Sequence, residues 1–234
     1  PELSNRQVSV VDMPEDTDLT ADYHTRAFPP ITMDPPENIP LRRLLLPFFT
    51  PKAVETYRPH TEALCNELID GFIDKGACDA AVDYAQQITP RVISRILGVD
   101  PNQSDEFVGW VRGLIELGFD NPEMRAENHK HLVIFFSEQL ELRRENPTDD
   151  LISLLANQTV NGEPIADKTI VKMCVLTLAA GIDTTWSSIG SSMLHFATHP
   201  EDRRRLVREP ELFATAIEEM LRLHAPVSVG RVAM

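Results

Sequence analysis

The chain has 234 residues, 42% hydrophobic and 25% charged, with a formal net charge of −14. That balance fits a globular domain with a core of its own, and the acidic excess argues against nucleic acid or an anionic membrane surface as a partner. No run reaches the roughly 18 apolar residues that span a bilayer, and no secretory signal is visible. Cys65, Cys78 and Cys174 form no C-x-x-C pair, which disfavours a disulfide framework or zinc knuckle and points to a reducing, cytoplasmic setting.

Residues 1–37 carry Pro14, Pro29, Pro30, Pro35 and Pro36 and read as long loops with room for one short helix. Leu41, Leu44, Leu45 and Phe48 then recur at helical spacing. Thr50-Pro51 reads as an N-cap followed by an N1 proline. The stretch 51–75 is amphipathic through Leu64, Leu68, Ile69 and Phe72; Pro59 is expected to split it in two and Gly76 to end it. A helix over 84–97 should stop at Gly98, and Ser104-Asp105 should open another that reaches Leu117. Residues 122–145 predict a longer, more charged helix, and Asp149 or Asp150 caps a short one with Leu151, Leu154 and Leu155. Asn161-Gly162, between Thr159-Val160 and Pro164-Ile165, predicts a tight hairpin.

The longest helix is expected from Asp167 to Thr198, roughly 48 Å at 1.5 Å per residue. Its first half is apolar on nearly every face and should be buried all round. His199-Pro200 ends it, and helices near 201–208 and 211–223 follow. Without repeats, low-complexity tracts or alternating βα units, the fold class is mainly α with minor β.

Chemistry-bearing residues fall at few places. A buried apolar helix should not contain Ala179-Ala180-Gly181-Ile182-Asp183-Thr184-Thr185: glycine weakens it, threonine hydroxyls compete for its carbonyls, and a buried acid needs a partner. Alone, that segment is equally the mark of a structural kink. Glu219 and Arg222 share a helix face at i, i+3 and, alone, read as a surface ion pair. In Asp34-Pro35-Pro36-Glu37-Asn38-Ile39-Pro40-Leu41-Arg42-Arg43 a rigid polar entry leads to two arginines suited to a carboxylate or phosphate. Gly230-Arg231 follows Pro226-Val227 in an extended-looking segment. His129 and His131 point to different faces, whereas His195 and His199, four apart, read as a surface pair rather than a metal site.

The order of D-P-P-E-x-x-x-x-R, F-T-P, D-D-L-I-S-L-L, A-G-I-D-T-T, H-P-E, E-E-M-L-R and P-V-x-x-x-R resembles the cytochrome P450 family, especially soluble bacterial members of the camphor-hydroxylase type. The likeness covers essentially the whole chain, as a partial P450 domain (1–234) running from the B–C region through the K helix and the following strand. It implies a haem-thiolate monooxygenase with haem b as cofactor. Dioxygen, a hydrophobic small molecule and a ferredoxin-type or other electron-transfer partner fed by NAD(P)H would be its partners. By that resemblance Ala180, Gly181, Asp183 and Thr184 form the oxygen-activation motif, with Thr184 and Asp183 catalytic. Arg42 and Arg231 would bind the haem propionates, with Asn38 where many relatives have a His or Gln. Phe28, Leu176, Ala179, Ala180 and Val227 match substrate-pocket positions, and Glu219–Arg222 matches a structural ion pair. The family's F-x-x-G-x-x-x-C-x-G motif is absent, so no residue here is assigned as the iron ligand, and the chain reads as truncated at both ends. The rival reading is a non-catalytic helical fragment or binding module.

Overall fold

The computed structural model describes residues 3–4, 28–118, 120–227 and 232–233. In chain order the elements are β1 (Leu3–Ser4), α1 (Asn38–Leu45), α2 (Pro51–Ile73), α3 (Gln86–Leu97), α4 (Ser104–Val111), α5 (Pro122–Glu145) and α6 (Leu151–Ala156). There follow β2 (Thr159–Val160), β3 (Glu163–Pro164), α7 (Asp167–Thr198), α8 (Pro200–Arg208), α9 (Phe213–Leu223) and β4 (Val232–Ala233). Both sheets are antiparallel pairs, β1 with β4 and β2 with β3. The expectation of loops over residues 1–37 holds for 28–37, which are turns and irregular backbone, but not for Leu3–Ser4, which pairs as a strand; residues 1–2 and 5–27 lie outside the described residues, as does Gly230-Arg231.

Local chemistry explains the boundaries. Thr50 Oγ1 accepts from the Ala53 N–H at 3.2 Å and opens α2. Asn121 does the same for α5 through the Met124 N–H at 3.0 Å. Asn161 (φ 54°) and Gly162 (φ 87°) both take positive φ, which a two-residue hairpin turn of this hand requires. Pro59 does not split its helix: α2 runs unbroken through it. Both Pro59 and Glu55, whose carbonyl the missing N–H would have met, are exposed, so water can satisfy that carbonyl. Nor does the helix from Ser104 stay regular to Leu117. Beyond Val111 it widens into i→i+5 turns, with the Leu117 N–H on the Arg112 carbonyl at 2.8 Å.

Helix α7 is the axis of the core. Met173, Val175, Leu178 and Ile182 are fully enclosed, and α3, α4, α5 and α6 close round them with Leu97, Phe107, Leu132, Phe136 and Leu155. Lys172 is buried in the same stretch. Among the described residues no helix is long and apolar enough to cross a membrane.

One polar cluster ties distant segments together. Asp150 Oδ1 caps α6 by accepting from the Ser153 N–H at 2.7 Å, while its Oδ2 accepts from Arg143 Nε at 2.7 Å. Thr148 Oγ1 also donates to Asp150, and Arg143 Nη2 donates to the Gly98 carbonyl. Gly98, at φ 83°, ends α3, and a Cβ there would lie 2.2 Å from Asp150 Oδ2. Glycine is therefore required both by its backbone and by its neighbour.

Helix α9 is packed differently. Phe213, Ile217 and Leu221 form an apolar stripe yet remain 51%, 55% and 41% exposed. Between this stripe and the C-terminal half of α7 lies a cavity of about 610 Å³, lined among others by Thr185, Ile189, Met193, Phe196 and Met220.

Candidate active site

The Gly181-Ile182-Asp183-Thr184-Thr185 segment does not break α7, which is continuously α-helical across it. The hydroxyls are absorbed by back-bonding: Thr184 Oγ1 donates to the Ala180 carbonyl at 2.7 Å, and Ser188 Oγ to the Thr184 carbonyl at 2.9 Å. Leu176, Ala179, Asp183 and Thr184 are partly buried and Ala180 is exposed, so this stretch of α7 opens just after its fully buried first half. Gly181 serves another purpose. A Cβ there would come within 2.7 Å of Ile93 Cγ1, so the glycine lets α3 cross α7 closely at this level.

Asp183 is half-buried beside the α4 extension. Burial pushes its carboxyl pKa up from 3.8, and the Glu116 carboxylate adds to the rise. A hydrogen bond from the Trp186 indole and the charge of Arg112 pull the other way. Arg112 is held by Glu116, Nε to Oε2 at 2.7 Å and Nη2 to Oε1 at 3.1 Å, so it lends Asp183 a field rather than a full ion pair. A raised folded-state pKa gives stability that is complete below the unfolded value near 3.8 and lost as pH rises through the folded one. At neutral pH the Asp183 charge therefore opposes folding. Asp183→Asn is expected to raise the melting temperature at pH 7 and to leave it nearly unchanged at about pH 3. Circular-dichroism melts at the two pH values check this, and an equal gain at both would remove ionisation as the cause.

The remaining sequence-assigned residues are spread more widely. Asn38 is buried, but its Nδ2 donates to the Met33 carbonyl at 3.0 Å, so its amide braces the entry to α1. Arg42, one turn on, is exposed and makes no ion pair among the described residues. Phe28 packs against the core, and Val227 is 48% exposed. Arg231 lies outside the described residues. Glu219 and Arg222 meet through two contacts of 2.7 Å on the exposed face of α9, and the arginine holds the Glu219 carboxyl below its usual range.

His195 and His199 stack at 4.3 Å and 11°, with His195 Nε2 3.0 Å from Asp202 Oδ2 of α8. No acidic partner for His195 was apparent from the sequence, because Asp202 lies across the α7–α8 turn. No group of three metal-ligating side chains gathers among the described residues. Sequence reasoning also missed Arg112 and Glu116; their i, i+4 spacing was the available signal.

The open stretch of α7 suits a flat cofactor: Ala179 and Ala180 offer only methyl groups, and Arg42 offers a guanidinium to a carboxylate. The cysteines do not suit an iron ligand. Cys174 is completely buried and its thiol is pushed well up by that burial, Cys65 is in hydrogen-bonding contact with Tyr84, and Cys78 lies exposed between α2 and α3.

Comparison with known proteins gives this arrangement its context. The family model described as Cytochrome P450 matches residues 105–234. The polyketide biosynthesis cytochrome P450 PksS of Bacillus subtilis (strain 168) is 28% identical over 225 residues, covering 96% of this chain and 54% of that protein. The vitamin D(3) 25-hydroxylase of Pseudonocardia autotrophica is 34% identical over 199 residues, covering 85% and 49%. The crystal structure of P450BioI in complex with hexadec-9Z-enoic acid ligated acyl carrier protein superposes with a TM-score of 0.84 at 26% identity, covering 99% of this chain and 60% of that one. The chain spans about half the length of the curated relatives it matches. With a family model matched across more than half its residues and the fold shared, the chain belongs to the cytochrome P450 family.

Proposed function

We propose that the chain forms the oxygen-activating and substrate-facing part of a haem-thiolate monooxygenase, which inserts one oxygen atom from dioxygen into a hydrophobic organic substrate. NAD(P)H would supply the electrons through a ferredoxin-type or other redox protein. The observation that carries this reading is Asp183-Thr184 standing where the buried axis helix opens, inside the segment that the family model matches. Haem b, when bound, would supply the activation of dioxygen. Arg42 would hold a propionate. Thr184, its hydrogen committed to the Ala180 carbonyl, keeps its lone pairs to accept a hydrogen bond from a water. Asp183, with its raised pKa, exchanges protons with solvent more readily near neutrality than an ordinary aspartate. Leu176, Ala179, Phe28 and Val227 would exclude water around an apolar substrate.

The test is a carbon monoxide difference spectrum. The 234-residue chain supplied with haem is expected to give no thiolate-type band, because none of its thiols is suited to ligate iron. The same chain joined to a segment carrying the family's cysteine motif is expected to give one. A thiolate band from the 234-residue chain itself would make Cys65, Cys78 or Cys174 the ligand and overturn the assignment.

A further inference from the structure

Pro90 stands inside α3 as Pro59 does inside α2, but the surroundings differ. Pro59 is exposed, whereas Pro90 is buried, as are Ile88 and Thr89 before it. Helix α3 stays helical across Pro90, which has no N–H for the Gln86 carbonyl four residues back. Thr89, three residues after Gln86, shares a helix face with it. It is 3% exposed, and its Oγ1 meets no hydrogen-bonding partner among the described residues. The other buried serine and threonine hydroxyls there are served. Thr177 donates to the Met173 carbonyl, Ser94 to that of Pro90 and Ser104 to that of Pro101, while Ser153 and Thr32 accept from backbone N–H groups. A buried hydroxyl without a partner is costly, and so is a carbonyl. Thr89 also faces a particular neighbour. Ala85, Thr89, Ile93 and Leu97 recur every fourth residue and are all buried. Ile93 lies against Gly181, and Tyr84 shares the wall of the large cavity with Thr185 and Ser188. The two helices therefore run antiparallel here, and Thr89 looks onto α7 between the levels of Gly181 and Ser188.

We propose that the Thr89 hydroxyl and the Gln86 carbonyl hold one buried water molecule in the seam between α3 and α7. The water donates to the carbonyl, and it shares a second hydrogen bond with the Thr89 hydroxyl, which can donate or accept. A proline inside a helix is a usual place for water to enter the backbone ladder, and buried waters settle where otherwise unserved polar groups meet. Neither group carries a charge, so the ligand is neutral water rather than an ion. The cavity lined by Tyr84 and Thr185 begins little more than one turn from Thr89 and gives the water its route of exchange. The water site is independent of the monooxygenase reading.

The sign of a stability change tests this, and no haem is needed. Thr89→Val keeps the shape of the side chain and removes its hydroxyl. A water bridging Thr89 and Gln86 would be stranded by the valine, so the urea midpoint of the 234-residue chain is expected to fall. For a dry hydroxyl the same exchange would raise the midpoint, because a methyl group suits an apolar seam better. Pro90→Ala supplies an N–H to the Gln86 carbonyl and takes away the second anchor of the water. In that background Thr89→Val is expected to cost clearly less, or to stabilise. Crystals of the unaltered chain should show one ordered water within hydrogen-bonding distance of both Thr89 Oγ1 and the Gln86 oxygen, a result that does not depend on how well either variant folds. A midpoint that holds or rises with Thr89→Val, an equal fall in both backgrounds, or a crystal in which that place is dry would overturn the site.

Discussion

Asp150→Ala is expected to destabilise the chain by about 3–5 kcal/mol, the usual cost of leaving one member of a buried ion pair alone. Arg143 and Asp150 are 13% and 6% exposed, so water cannot replace the lost carboxylate. The same substitution removes the α6 cap at Ser153 and the acceptor for Thr148. Urea denaturation measures the effect. A loss below about 1 kcal/mol would mean that Arg143 finds another partner and that the cluster is dispensable. Asp150→Asn keeps the cap acceptor and should cost less. Acid gives an independent check. Burial alone would raise the Asp150 pKa, but hydrogen bonds from Thr148, the Ser153 N–H and Arg143 outweigh it and hold the carboxyl below its ordinary value of 3.8. A depressed folded-state pKa means stability that is present above the unfolded value and lost as pH falls through the folded one. The wild type should therefore lose stability below about pH 4, and the alanine variant should lose less.

In the complete enzyme, Thr184→Ala is expected to lower the product formed per NAD(P)H consumed and to raise the hydrogen peroxide released. Substrate binding should change little. The hydroxyl lies 2.7 Å from the Ala180 carbonyl, so its position is set by the helix itself and its lone pairs are left to accept. Removing a positioned proton-handling group typically costs about 10²–10⁴-fold in the step it serves. Thr185→Ala is the control, because Thr185 turns toward the cavity beside α9. Full coupling in Thr184→Ala with loss in Thr185→Ala would place the functional hydroxyl one residue on. Full coupling in both would make the segment a matter of packing alone.

Much of this architecture is legible in the sequence because it is set by neighbours along the chain. Asp167 and His199-Pro200 bracket α7, Thr50-Pro51 opens α2, and Asn161-Gly162 makes the hairpin. The misses are tertiary. Pro59 was expected to break a helix, yet whether proline breaks one depends on which way the orphaned carbonyl faces. Gly181 looks like part of a chemical motif until Ile93 of α3 is found against it. Of the site, Asp183 and Thr184 could be picked out as out of character for a buried helix. The turn of Asn38 toward Met33, and the field of Arg112 and Glu116 on Asp183, come from contacts that no spacing rule encodes.

The packing along α7 also gives that helix two mechanical halves. Up to Ile182 it is clamped by four other helices and should hold its amide protons for the lifetime of the fold. From Thr184 onward Ser188, Ser192 and Thr198 each aim a hydroxyl at a carbonyl four residues back, and Gly190 has no neighbour within 4 Å of where a Cβ would stand. Carbonyls shared between an amide and a hydroxyl hold each less firmly. Fraying that starts at His199 should run back along this compliant half and stop near Asp183. Thr184 sits on the boundary: its hydroxyl is anchored to a carbonyl on the stiff side, while its own carbonyl belongs to the side that yields.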